Sequence, residues 1–186
     1  SWPANEIELY GPGTDSGTFD YFVEEVLGEG DSRSDYTASE DDNILVVGVQ
    51  NDVDALGYFG LAYYAENSAT LRAAAIDGGD GPVLPTDETV NNGTYTPFSR
   101  PLFIYVRKDA LEADEALVSF VNYYIQNAPT IVPEVGYVAL PEEIYGIASR
   151  LVANVEAGTV FQNEDIAGRD LVDILDMSRT LEAPAE

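Results

Sequence analysis

The stretch Tyr10-Gly11-Pro12-Gly13-Thr14-Asp15-Ser16-Gly17-Thr18-Phe19 decides how this chain folds around its most chemically distinctive point. Upstream, Ile7 and Leu9 alternate with polar residues and predict a short strand running into a Gly/Pro turn. Downstream, Phe19, Phe22, Val23, Val26 and Leu27 recur at helical spacing. Strand, turn and helix in that order place Ser16 and Thr18 at a helix start. The first N–H groups of a helix lack intrahelical partners and carry partial positive charge, so such a start favours an anion. Gly17, without a Cβ, lets a ligand come close to the backbone. An ordinary N-cap formed by Asp15, Ser16 or Thr18, binding nothing, accounts for the same residues.

The 186 residues suffice for one sizeable domain or two small lobes, with 45% hydrophobic and 23% charged residues, ordinary for a globular protein. The charge is not ordinary: 34 acidic against 8 basic residues give a net charge of −26. That surface argues against nucleic acid and against anionic membranes, and it suits solubility at high salt, as in a halophilic source. It does not exclude an anion site, because remote charges are screened beyond about 8 Å at physiological ionic strength and a local set of donors decides affinity. The chain has no cysteine and no histidine. Disulfides, thiolate chemistry, the usual zinc sites and a Ser-His-Asp triad are therefore absent, and Ser16 is a poor nucleophile. No segment approaches the ~20 apolar residues of a membrane span. The chain opens on Ser1 without a signal peptide and reads as a processed or partial sequence.

Beyond the first helix, Thr37 and Glu40 have capping-box spacing and predict a helix from about Ala38 through Ile44, Leu45, Val47 and Val49. A short strand or turn at Gly57-Tyr58-Phe59-Gly60, a helix near Leu61 to Leu71 and a strand from Arg72 to Ile76 follow. Asn91-Asn92-Gly93 signals a turn. Pro101 to Val106 reads as the clearest buried strand, its near-continuous apolar run fitting a sheet covered on both faces. Leu117, Phe120, Val121, Tyr124 and Ile125 predict a helix ended by Pro129 and Pro133. A further helix is expected from about Pro141, with Ile144, Ile147, Ala148, Leu151 and Val155 as its stripe. Tyr63-Tyr64 and Tyr123-Tyr124 read as partly buried helix faces, and Leu171 to Leu175 is a last apolar run. Alternating strands and helices indicate an α/β fold with mostly parallel strands, with a lobe boundary expected near Ser99-Arg100-Pro101.

Five stretches together resemble the phosphate-binding proteins of high-affinity phosphate ABC transporters. They are residues 9–22, Ser32-Arg33-Ser34-Asp35 running on to Asn43, Ala55 to Gly60, Ser99 to Val106, and Val135 to Pro141. The resemblance implies a periplasmic-binding-protein-like II fold, a mostly parallel sheet sandwiched by helices. Residues 1–100 would then form the second, ligand-holding lobe, and residues 101–186 would return to the first lobe through a strand at Leu102 to Val106. It also implies Ser16, Gly17 and Thr18 as phosphate ligands at a helix N-terminus. In the best-known branch of that family an arginine precedes the Ser-Gly-Thr by four residues, where this chain has Pro12. Arg33 is the substitute by chemistry, since a guanidinium can grip two phosphate oxygens. The family's first lobe begins with roughly a hundred residues that have no counterpart here, including a second anion-binding loop.

Asp35 can orient Arg33 or accept a phosphate proton, or serve only as a turn residue; Asp15 is a further candidate ligand, though a helix-start role is simpler. Glu40-Asp41-Asp42 fits an acidic first helical turn and lacks the spacing of a calcium loop. No catalytic residue, metal or cofactor is expected. The expected function is that of a non-enzymatic, periplasmic or extracellular solute-binding protein, monomeric, capturing inorganic phosphate for an ABC permease. The alternatives are a phosphate-ester hydrolase or transferase using the same helix start, and a binder of sulfate or molybdate. Micromolar affinity needs about 8 kcal/mol, and charge-assisted hydrogen bonds contribute roughly 1.5–3 kcal/mol each. The residues of one lobe are therefore expected to bind phosphate weakly or not at all on their own.

Overall fold

The computed structural model describes residues 4–28 and 30–158 and divides the chain into two compact units, Ser1–Ala74 and Ala75–Glu186. The compositional change at Ser99-Arg100-Pro101 lies inside the second unit.

The first unit is built on strand β1 (Glu8–Pro12), which is central in a parallel three-stranded sheet of order β2-β1-β3. β2 (Thr37–Ser39) pairs with it through Tyr10↔Thr37, Gly11↔Ala38 and Pro12↔Ser39, and β3 (Ala55–Gly57) through Glu8↔Ala55 to Tyr10↔Gly57. Each strand is followed by a helix: α1 (Gly17–Leu27), α2 (Asp42–Asn51) and α3 (Leu61–Glu66). Parallel strands leave these three helix starts at one edge of the sheet, the carboxyl edge where open α/β sheets hold ligands. Helix α2 supplies the core: Leu45 is fully buried, Val46 nearly so, and Ala62 of α3 joins them. Helix α1 buries no side chain completely; Phe22 stacks on Tyr58 with ring centroids 4.1 Å apart.

Two predicted elements of this unit are corrected. Thr37-Ala38-Ser39 is strand, not helix, because pairing with the edge of β1 outweighs a local capping preference. The helix begins at Asp42, capped by Asp41, whose carboxylate accepts the Asn43 N–H at 3.0 Å. Helix α3 stops at Glu66, short of Leu71. There Asn67 donates its side-chain amide to the Tyr63 carbonyl at 2.8 Å and so competes with continuation of the backbone ladder.

In the second unit, the strand predicted over Arg72 to Ile76 shrinks to β4 (Ile76–Asp77), antiparallel to β5 (Pro82–Val83). The Asp77 carboxylate closes the turn by accepting the Gly79 and Gly81 N–H groups. Helices α4 (Asp87–Asn91) and α5 (Lys108–Ala113) were not predicted; α4 carries a true capping box between Thr86 and Thr89. Helix α6 (Glu115–Glu134) contains Pro129 and Pro133 instead of ending at them. Spaced one turn apart, the two rings leave their gaps on one side, and the ladder resumes with Val135 N–H donating to Ile131 C=O. Helix α7 (Glu142–Ala153) packs against α6 through Val121, Ile125, Ala128, Ile144 and Ile147.

The largest correction concerns Pro101 to Val106, which forms no strand among the described residues. Leu102, Phe103, Ile104 and Tyr105 are all exposed, Tyr105 to 90%. An apolar run records that a segment suits burial, but a strand also needs a partner edge for its backbone groups. Tyr123 and Tyr124 are likewise exposed. The run Leu171 to Leu175 lies outside the described residues.

Candidate functional site

The turn between β1 and α1 is clamped from three sides. Gly11, Pro12 and Gly13 are buried. A Cβ on Gly11 would meet Tyr58 Cε1 at 2.7 Å and Tyr36 Cε2 at 3.3 Å, so only glycine admits both rings. The Tyr36 hydroxyl donates to the Pro12 carbonyl at 2.9 Å. Burial, with Tyr36 nearby, pushes the Tyr58 phenol up to about 12, which keeps it neutral. Ser16 N–H donates back to Gly13 C=O at 3.1 Å and fixes the bend.

Ser16 is the N-cap of α1, in extended conformation, and its Oγ accepts the Thr18 N–H at 3.2 Å. Capping and ligand binding are therefore not rivals here. The cap uses a lone pair of the hydroxyl, and the hydroxyl hydrogen remains to donate outward. Gly17 and Thr18 are the first two residues of the helix, and Thr18 adds a second hydroxyl. Among the sequence-selected candidates, Ser16, Gly17, Thr18 and Asp15 thus stand together on one turn.

Arg33 and Asp35 are brought to each other. Arg33 Nε and Nη2 donate to the two Asp35 oxygens at 2.6 and 2.7 Å, a bidentate pair on an exposed segment leading into β2. The hydrogen bond from Arg33 holds the Asp35 carboxyl at about 2, and the same bond raises the Arg33 guanidinium.

The acidic run Glu40-Asp41-Asp42 divides its work among three places. Asp41 caps α2. Asp42 is half-buried beside Gly60 at the start of α3; burial raises its pKa, the Gly60 amide opposes this, and Asp41 and Glu40 add to it. Glu40 crosses to the β1–α1 turn, where its Oε1 accepts the Asp15 N–H at 3.3 Å. The sequence points to Ser16 and Thr18 through their hydroxyls and helix position, but not to Tyr36, Tyr58 or Glu40. The one available signal was the β-branched Thr37 after the Ser32-to-Tyr36 loop, which, read as strand, would have freed Glu40 from a capping box. Among the described residues no group of acidic side chains has the arrangement of a metal site, and no helix is long and apolar enough to cross a membrane.

Residues 1–128 match the family described as the PBP superfamily domain. Over 182 residues the chain is 46% identical to Protein SphX of Synechocystis, covering 97% of this chain and 54% of that protein. It is 33% identical over 145 residues to the phosphate-binding protein PstS of Staphylococcus saprophyticus, covering 77% of this chain and 44% of the relative. A solved structure, a possible phosphate binding protein from Planctomyces limnophilus, superposes with a TM-score of 0.70 at 42% identity, over 84% of this chain and 56% of the other. The chain spans about half the length of the curated relatives it matches. The parallel β/α arrangement and these similarities agree on a periplasmic-binding-protein-like II fold, and the chain belongs to the PBP superfamily.

Proposed function

We propose that this chain binds inorganic phosphate at the start of α1, as the ligand-holding part of an extracytoplasmic solute-binding protein that delivers phosphate to an ABC permease. The observation that carries the proposal is the neutral, hydroxyl-bearing helix start Ser16-Gly17-Thr18, held rigid at the carboxyl edge of the parallel sheet. Relatives named as phosphate-binding proteins support the choice of anion. The hydroxyl hydrogens of Ser16 and Thr18 meet phosphate oxygens while the helix start offsets their charge. Rigid donors lower the ordering cost of binding.

Donors on a single turn fall short of the roughly 8 kcal/mol of a micromolar site. The 186-residue chain is therefore expected to bind phosphate more weakly than micromolar. The test is a phosphate titration of the isotope-labelled chain followed by NMR. Saturable shifts centred on Ser16, Gly17 and Thr18, abolished by Ser16→Ala combined with Thr18→Ala, support the proposal. Shifts centred elsewhere, or none, overturn it. Parallel titrations with arsenate, sulfate and molybdate fix selectivity. Turnover of a chromogenic phosphate ester that vanished in Ser16→Ala would favour a hydrolase instead.

A further inference from the structure

We propose that Glu40 is an internal competitor at the phosphate turn, a tethered carboxylate that an incoming anion must displace; this rests on the binding proposed above. The parallel register places it there: Pro12 pairs with Ser39, Gly13 N–H donates to Ser39 C=O at 3.3 Å, and the next residue is Glu40. Its carboxylate is seated directly against the turn. A Cβ on Gly13 would lie 2.0 Å from Glu40 Oε1 and 2.7 Å from Cδ, so the glycine is what makes room for it. The Asp15 N–H, one residue before Ser16, is its hydrogen-bond donor.

Nothing else in the surroundings requires a carboxylate at that spot. Helix α2 is already capped by Asp41, and Asp42 lies beside Gly60 at the start of α3. Glu40 is exposed and neighbours two further carboxylates, and the ion pairs among the described residues are Arg33–Asp35, Arg107–Asp109 and Lys108–Glu112. An amide of the turn therefore holds a negative group that no cation neutralises. That group is held by the amide one residue before Ser16, whose hydroxyl would receive phosphate. Two like unit charges a few ångströms apart in water oppose each other by enough to change an affinity about fivefold. Binding of phosphate must drive the Glu40 carboxylate off the turn against that repulsion, so Glu40 sets the affinity downward.

Phosphate titrations of the unmodified chain, Glu40→Gln and Glu40→Ala, followed by NMR, test this. Glu40→Gln keeps shape and size, and Glu40→Ala removes the side chain outright. Both are expected to bind phosphate about fivefold more tightly than the unmodified chain. In the unmodified chain the Glu40 carboxyl carbon should move in step with the Asp15 and Thr18 amides. Equal or weaker binding in both variants, with Ser16→Ala combined with Thr18→Ala still abolishing binding, overturns the competitor role and leaves the phosphate proposal standing. A Glu40 signal that stays fixed through saturation does the same. Absence of phosphate binding in the unmodified chain and in both variants overturns both proposals together.

Discussion

Helices α1 and α2 leave the same edge of the same parallel sheet on neighbouring strands, yet their first turns carry opposite chemistry. Helix α2 starts with Asp41 as cap, whose carboxylate accepts the Asn43 N–H, and Asp42 adds a second negative charge to its first turn. Helix α1 starts with a neutral serine cap and a threonine, and its first acidic residue is Asp20. The macrodipole is a property of both helices, so it cannot by itself make one of them an anion site. What separates them is whether the cap brings its own negative charge. Burial divides the same way: α2 holds the fully buried Leu45, whereas α1 has no fully buried side chain. One helix anchors the unit and its neighbour presents the proposed site.

The comparison breaks most visibly in the core. Leu45→Ala should destabilise the unit by about 2–5 kcal/mol, the range for a leucine lost from a packed interior. Val26→Ala on α1, a side chain 49% exposed, should cost well under half as much. Urea unfolding of both variants measures the difference, and similar losses would show that α1 shares the anchoring. Next in size, Ser16→Asp gives α1 the cap chemistry of α2. Phosphate binding should fall at least about tenfold, since the new charge stands on the proposed contact. Stability should hold or rise slightly, because aspartate caps as well as serine. Removing each cap sharpens the contrast further: Ser16→Ala and Asp41→Ala should each cost ~1 kcal/mol of stability. Only Ser16→Ala should also weaken phosphate binding, and a comparable loss in Asp41→Ala would end the distinction.

The strand–turn–helix from Leu9 to Leu27 was legible in the sequence because all its signals are local: alternation, Gly/Pro punctuation and helical spacing fall within twenty-odd residues. Its hydroxyls were legible for the same reason. Thr37 to Ser39 was misread because its strand character comes from a partner, β1, more than twenty residues away. Misplacing that strand also hid Glu40, whose contact with Asp15 follows from register and not from sequence spacing. Tyr36 and Tyr58 were missed as clamps because nothing local says that both rings converge on Gly11. Pro101 to Val106 fails in the opposite direction: its composition describes a burial that no neighbouring strand among the described residues supplies. Local rules reported what a segment prefers, and the sheet decided which preference was used.

The smallest effect concerns Arg33 and Asp35, the candidates that lie away from the α1 turn in sequence and pair with each other. The arginine's hydrogen bond holds the Asp35 carboxyl at about 2, below its ordinary value of 3.8. A carboxyl depressed in the folded state adds stability that is fully present above the ordinary value. That stability is lost as pH falls through about 2, so what the pair contributes changes with pH only in strong acid. Both side chains are well exposed, and solvent screens what the pair contributes. Arg33→Gln should therefore leave neutral-pH stability almost unchanged while returning the Asp35 midpoint, followed by carboxyl NMR, to the ordinary carboxylate range. The same variant measures how far the site extends beyond the turn. With its fork committed to Asp35, Arg33 should alter phosphate affinity less than Ser16 does. A loss in Arg33→Gln as large as that in Ser16→Ala would instead make the arginine a second hand on the ligand, and α1 would no longer be sufficient to define the site.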